Sequence, residues 1–327
     1  MLNALFALLM VASTPANAAS PPCRLNPSDQ AWLDRSMGAW NYAATHLSGI
    51  GHVKKIQAVI FDKECVVTSS TAMNGGPDRW ASKRHAGSVE LPDGGKIPAQ
   101  VISFSGSVGD HAFFVMSAPS VWRAAQKTGK GTTLENLMTA VMLHEGTHVA
   151  QMPTYGKVIG EISERNKLPE DFNDDSIQKQ FENNKEFAAS VEREAALLFA
   201  ASRAKSRPEA VQLTRTARDM MKSRYARWFS GKDAYLADIE PVWLTLEGSG
   251  QWLAYRWETD KRGAGVHARD VTPGFENDKW WSQREGLAAF LALERLTGSA
   301  WKQQAFGRGE KTIVQMLDEA IAAANGG

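Results

Sequence analysis

The sequence predicts an α+β protein, with a helix and a small antiparallel sheet first and a mostly helical region after them. Three observations predict it. Short β-type runs separated by Gly- and Pro-rich turns are confined to residues 53–117. From Pro119 onward, apolar residues recur at helical spacing. The 327 residues, 43% hydrophobic and 22% charged, have ordinary globular composition and suffice for one large domain or two modest ones.

Taken in order, residues 1–18 have the form of a secretory signal peptide. Leu2 to Ala12 is an apolar core and Ala16-Asn17-Ala18 is an A-x-A cleavage site, although no Lys or Arg precedes the core. That run is too short to span a bilayer, and no other stretch is long and apolar enough. The expectation is a periplasmic or secreted protein with no membrane span after cleavage. Cys23 and Cys65, the two cysteines, then meet an oxidising compartment and are expected to form a disulfide. A net charge of +1 leaves no electrostatic footprint for nucleic acid.

Residues 25–50 read as a helix with Trp32, Leu33, Met37, Trp40 and Ala44 on one face. Strands are expected at 59–61, 65–68, 99–104 and 112–116, with turns at 74–77 and 92–95. Helices are expected at 119–127, 133–152, 175–204, 207–229, 235–258, 280–297 and 310–324. Segments 153–173 and 259–279, polar and rich in Gly and Pro, read as loops. The mature chain thus divides into a subdomain at 19–130 and a helical region at 131–327. Six of the eleven Trp fall between Trp243 and Trp301, where a Trp-rich core accounts for them more simply than the lining of a cleft.

The chemistry lies in His144-Glu145-Gly146-Thr147-His148, an H-E-x-x-H motif on the last turns of the helix expected at 133–152. Thr132-Thr133-Leu134-Glu135 is a capping-box pattern just upstream, and Leu134, Leu137, Met138, Val141, His144 and His148 keep helical period. Imidazoles four residues apart stand one above the other, the spacing that gives one Zn²⁺ two nitrogen ligands, with Glu145 beside it as general base. One Zn²⁺ per chain is expected, and it needs a third protein ligand. Thr154 stands where the extended H-E-x-x-H-x-x-G-x-x-H signature has a further His, so that pattern is excluded.

A downstream carboxylate is the alternative. Glu247 lies in an apolar, Trp-flanked stretch, where a charge needs a compensating cation. Glu194 shares a helical face with Phe187, Val191, Leu198 and Ala201, but it could instead pair with Arg215 or Arg218 on the next helix. Glu285 and Glu186 are weaker candidates. Glu247 is the first choice and Glu194 the alternative.

His144 to His148, followed by Glu-Gly in a Trp-flanked helix, resembles the gluzincin branch of zinc metallopeptidases, in the MA-like clan. The resemblance implies a zincin-like metallohydrolase region and a peptide or protein substrate. It implies zinc held by His144, His148 and a glutamate, with amide bonds hydrolysed by water that Glu145 deprotonates. Leu246-Glu247-Gly248-Ser249-Gly250 is similar to the E-G-x-A helix of that branch, with Gly250 in place of Ala. Arg284-Glu285-Gly286-Leu287-Ala288 matches the short pattern better but lies further along the chain. Gluzincins that use a nearer Ala/Leu-rich helix point to Glu194. Residues 19–130 are not covered. Tyr255 and His267 are candidates for steadying an oxyanion. A non-catalytic binding protein on a zincin-like scaffold is the competing class, against which Glu145 argues. A cell-wall peptide amidase would use the same chemistry.

Overall fold

Alternating burial builds the first layer. The computed structural model describes residues 23–49, 57–70, 79–109, 111–129 and 131–325. The signal-peptide segment and the turn expected at 74–77 lie outside them. After α1 (Pro27–Tyr42) come β1 (Gln57–Phe61), β2 (Cys65–Ser70), β3 (Arg79–Arg84), β4 (Ser88–Glu90), β5 (Lys96–Pro98), β6 (Ser103–Val108) and β7 (His111–Ser117). Five of these strands form one sheet in the order β3-β2-β1-β7-β6, and β4 pairs with β5 in a separate hairpin. Ala58, Ile60, Phe114 and Met116 face the main core. Val59, Phe61, Phe113 and Val115 face a second cluster closed by Val89 of the hairpin. Both faces of β1 and β7 are covered, which is why their sequences are unbroken apolar runs.

The sheet is mixed where an antiparallel one was expected: β1 pairs parallel with β7, Val59 opposite Val115, while the other pairings are antiparallel. The strand expected at 99–104 begins only at Ser103. Three strands escape the sequence pattern. β3 is an edge strand carrying Arg79, Lys83 and Arg84, and such edges are charged rather than apolar. β4 and β5 are three residues each and turn little inward besides Val89 and Ile97.

The helical layer comprises α2 (Pro119–Ala124), α3 (Leu134–Gln151), α4 (Lys157–Asn166), α5 (Ser176–Phe181), α6 (Lys185–Ser202), α7 (Arg207–Trp228), α8 (Leu236–Thr259), α9 (Ala268–Glu276), α10 (Trp281–Thr297) and α11 (Ile313–Asn325). Two segments expected as loops are partly helical. Pro153 does not stop the chain, because it sits in the first turn of a π-turn at Met152–Gly156, where its missing N–H is tolerated, and α4 follows. α9 forms within 259–279. The long helix expected at 175–204 is instead broken, since Asn184 caps a new start by accepting from the Glu186 and Phe187 amides.

One apolar cluster runs from Trp32 and Ile60 through Leu143 and Leu253 to Leu317, so the sheet and the helices share a core across residue 130. Among the described residues no helix is long and apolar enough to cross a membrane. Cys23 and Cys65 form a disulfide with Cα atoms 5.8 Å apart, tying the segment before α1 to the start of β2. The bridge closes a sequence separation of 42 residues. Replacing Cys23 by Ser should therefore lower unfolding free energy by about 2–4 kcal/mol. Equal denaturant midpoints for the variant and the parent protein, at equal slope, would refute this.

Candidate metal centre

α3 starts at Thr133, whose hydroxyl accepts from the Asn136 amide at 3.1 Å; the cap is one residue later than the capping-box spacing from Thr132. Glu135 pairs with Arg123 rather than closing the box. The helix is buried on nearly every side, packed against β6, β7, α1 and α8. Its last turns therefore present His144 and His148 to α8 at the edge of a cleft.

Those imidazoles meet α8. His144 Nε2 lies 3.1 Å from Glu247 Oε2, and His148 Nε2 lies 3.1 Å from Glu247 Oε1. The two Nε2 atoms are 2.8 Å apart. One ligand atom from each residue falls within 4.8 Å of the others, so His144, His148 and Glu247 form a group that could hold a metal ion. Burial opposes a charge on His148, but the Glu247 carboxylate beside it prevails and raises its pKa to about 9. Glu247 moves the other way: burial disfavours its charge, yet His148 and His144 hold it well below the usual carboxylate range. Both Nδ1 atoms are buried without a partner among the described residues, so packing sets the ring orientations. The rings contact edge to face at 4.4 Å.

Two glycines make this approach possible. A Cβ on Gly250 would lie 2.8 Å from His144 Nδ1, so the Ala of the gluzincin-like pattern would push the ring away. A Cβ on Gly248 would lie 2.4 Å from the backbone carbon of Gly286, and one on Gly286 would lie 2.6 Å from the Leu244 carbonyl oxygen. α8 and α10 thus cross backbone to backbone at their Glu-Gly pairs.

The other candidate glutamates go elsewhere. Glu194 accepts from Arg224 Nε at 3.0 Å, and Glu285 accepts from Arg224 Nη2 at 3.2 Å. Glu240, which sequence reasoning passed over, accepts from Arg224 Nη1 at 2.6 Å. The partner of Glu194 is on the helix expected, α7, but is Arg224, not Arg215 or Arg218. Three carboxylates around one guanidinium cannot all be charged in the interior. Burial raises Glu240 and holds Glu285 well above the ordinary range, although Arg224 pulls both down. Glu186 is exposed and pairs with Arg227.

Glu145, beside the metal group, is buried, and its Oε2 accepts from Ser105 Oγ at 2.7 Å. Two cavities of about 440 and 570 Å³ flank it, and Glu145, His144, Ser103, Trp280 and Gln283 line both. The second also reaches Asp174, between α4 and α5. Burial, then the charges of Glu247 and Asp175, raise Asp174 to about 8 against the pull of His148. Nothing in its Asn173-Asp174-Asp175 turn relates it to the motif by spacing, so only the fold reveals it. Tyr255 bonds Thr272 at 3.1 Å in a different cavity, and His267 is exposed just before α9. Of the C-terminal Trp residues, Trp243 and Trp280 line the cleft, while Trp252 and Trp301 meet edge to face in the core with ring centroids 4.8 Å apart.

No family, curated protein or solved structure matches this chain.

Ligand and ion-pair roles separate under mutation. Glu247→Ala should lose bound metal. Arg224→Leu should strand three buried carboxylates and cost roughly 3–5 kcal/mol of stability, with metal content per folded chain unchanged. Glu285→Gln should cost much less than Arg224→Leu, because burial raises the Glu285 carboxyl well above the ordinary range and favours its neutral form. Metal analysis and melting curves on the three proteins check this, and retention of metal by Glu247→Ala would remove Glu247 from the site.

Proposed function

We propose that this chain is an exported zinc-dependent hydrolase of gluzincin type that cleaves peptide bonds. The observation that supports the reading best is the convergence of His144, His148 and Glu247 with Glu145 beside them in an open cleft. Two imidazoles and one carboxylate are the donors that three-ligand catalytic zinc sites use, with a further position left for the reacting molecules. When bound there, Zn²⁺ supplies Lewis acidity to water and to the scissile carbonyl.

The chain's own residues account for the rest. Glu145 takes the proton of the attacking water and passes it to the leaving amine, as base and then acid. Ser105 holds the Glu145 carboxyl by donating to Oε2, which limits its rotation. β6 is the edge of its sheet, and its Ser103 and Ser105 line the cleft. Edge-strand N–H and C=O groups can take an extended peptide as one further strand, which favours a peptide substrate. Export rests on the form of residues 1–18 and fits the Cys23–Cys65 disulfide.

Two outcomes follow. Glu145→Gln should keep zinc and lose turnover by roughly a hundredfold or more, since it removes the base and not a ligand. Full peptide hydrolysis by that variant, measured with zinc content matched, contradicts the role. The second concerns pH. With its pKa near 9, His148 faces Glu247 as an imidazolium at neutral pH, and Zn²⁺ must displace that proton. Affinity for Zn²⁺ should weaken as pH falls below about 9, by roughly tenfold per unit. Competition with a chromogenic chelator between neutral and alkaline pH reads this directly, and a flat profile would mean that His148 is not a ligand.

A further inference from the structure

The smaller cavity is a groove lined by residues of both α3 and α8, with α9 beside them. Leu137, Val141 and His144 of α3 and Gln251, Ala254 and Glu258 of α8 all line it. Glu247, Gln251, Ala254 and Glu258 follow one stripe of α8, so the metal group and Glu258 look along the same groove. From Gln251 to Glu258 is seven residues, about 10 Å along the helix.

Glu258 is only 2% exposed, yet its side chain has no hydrogen bond or ion pair among the described residues, and Oε1 is fully enclosed without a partner. Burial alone raises its pKa to about 7. This differs from every other buried glutamate near the cleft: Glu145 has Ser105, Glu247 has two imidazoles, and Glu240 and Glu285 have Arg224. Lys279 lines the same cavity, but its Nζ sits over the Trp280 ring at 4.2 Å and not on Glu258. An enclosed carboxylate with no partner is a standing deficit for the fold, and an entering cation removes it.

We propose that this groove is a specificity pocket for an arginine or lysine side chain of the substrate, its apolar stem lying along Leu137, Val141 and Ala254 and its charge meeting Glu258. Long basic side chains bury their methylene stems against apolar walls and keep the charged head for a polar partner. A guanidinium can take the carboxylate with two parallel hydrogen bonds. The proposal rests on the peptide-hydrolase reading above for the identity of the substrate, and on the groove alone for the charge.

The test uses the zinc-loaded Glu145→Gln protein, so that peptides bind without turnover. Acetylated hexapeptide amide pools carry arginine at each position in turn, against twin pools with citrulline, which has nearly the same shape and no charge. Calorimetry should show arginine preferred by roughly tenfold or more at one position. Adding Glu258→Gln should bring that ratio close to one at unchanged zinc content. Equal binding of the twins at every position overturns the pocket, as does failure of both to bind or a preference that survives Glu258→Gln. The comparison of twins needs no second variant, so a misfolded Glu258→Gln protein would not blunt it. Arginine preference in binding without cleavage by the parent protein would sink the hydrolase reading and leave the pocket. Cleavage without preference would do the reverse.

Discussion

The close crossing of α8 with α10 holds the rest of the site in place. Gly248 and Gly286 meet backbone to backbone, and no side chain fits between them. Each glycine follows a glutamate, so a single contact fixes two carboxylates at once. Glu247 is turned toward α3 and the imidazoles, and Glu285 toward α7 and Arg224. Gly250, half a turn further along α8, then lets the His144 ring lie against the helix backbone. A larger residue at Gly250 would push His144 away from α8, and one at Gly248 or Gly286 would part α8 from α10.

These two buried clusters show that residue type alone does not set the chemistry. Around Arg224 there are more carboxylates than cations, and the interior answers by raising Glu240 and Glu285 toward their neutral forms. Glu247 instead sits directly against two bases, and the interior answers by keeping Glu247 charged and loading His148 with a proton. The first cluster is closed, with its cation already supplied by the chain. In the second, protons occupy positions for which a divalent cation competes, and an open cleft adjoins it.

The H-E-x-x-H helix was legible because everything that makes it is local: a cap, a period and a spacing. The third carboxylate was less so. A glutamate in an apolar helix describes Glu194, Glu240, Glu247 and Glu285 equally well. They differ only in whether Arg224 reaches them, a contact between residues up to 61 positions apart in sequence. The order of helices was readable from period, whereas β3, β4 and β5 were not, because charged or very short edge strands bury too little to show alternation. The parallel pairing of β1 with β7 could not be read either, since it depends on which strands end up covered on both faces. Asp174 was hidden for a related reason: a turn residue acquires its surroundings only from the fold.

Buried acidic residues in α8 break the rule that helices bury apolar faces, and they break it three times on one stripe, at Glu240, Glu247 and Glu258. Such violations persist where something compensates them or where function needs them. Arg224 compensates the first within the chain. The imidazoles partly compensate the second, and a metal ion would complete it. Nothing among the described residues compensates the third. Glu258 lines the same cavity as His144 and Glu145, so a cation entering that cavity to meet Glu258 would lie in the space that adjoins Glu145. On the function proposed above, Glu258 and Glu145 would act on one molecule, with a charge at one point and an amide bond at the other.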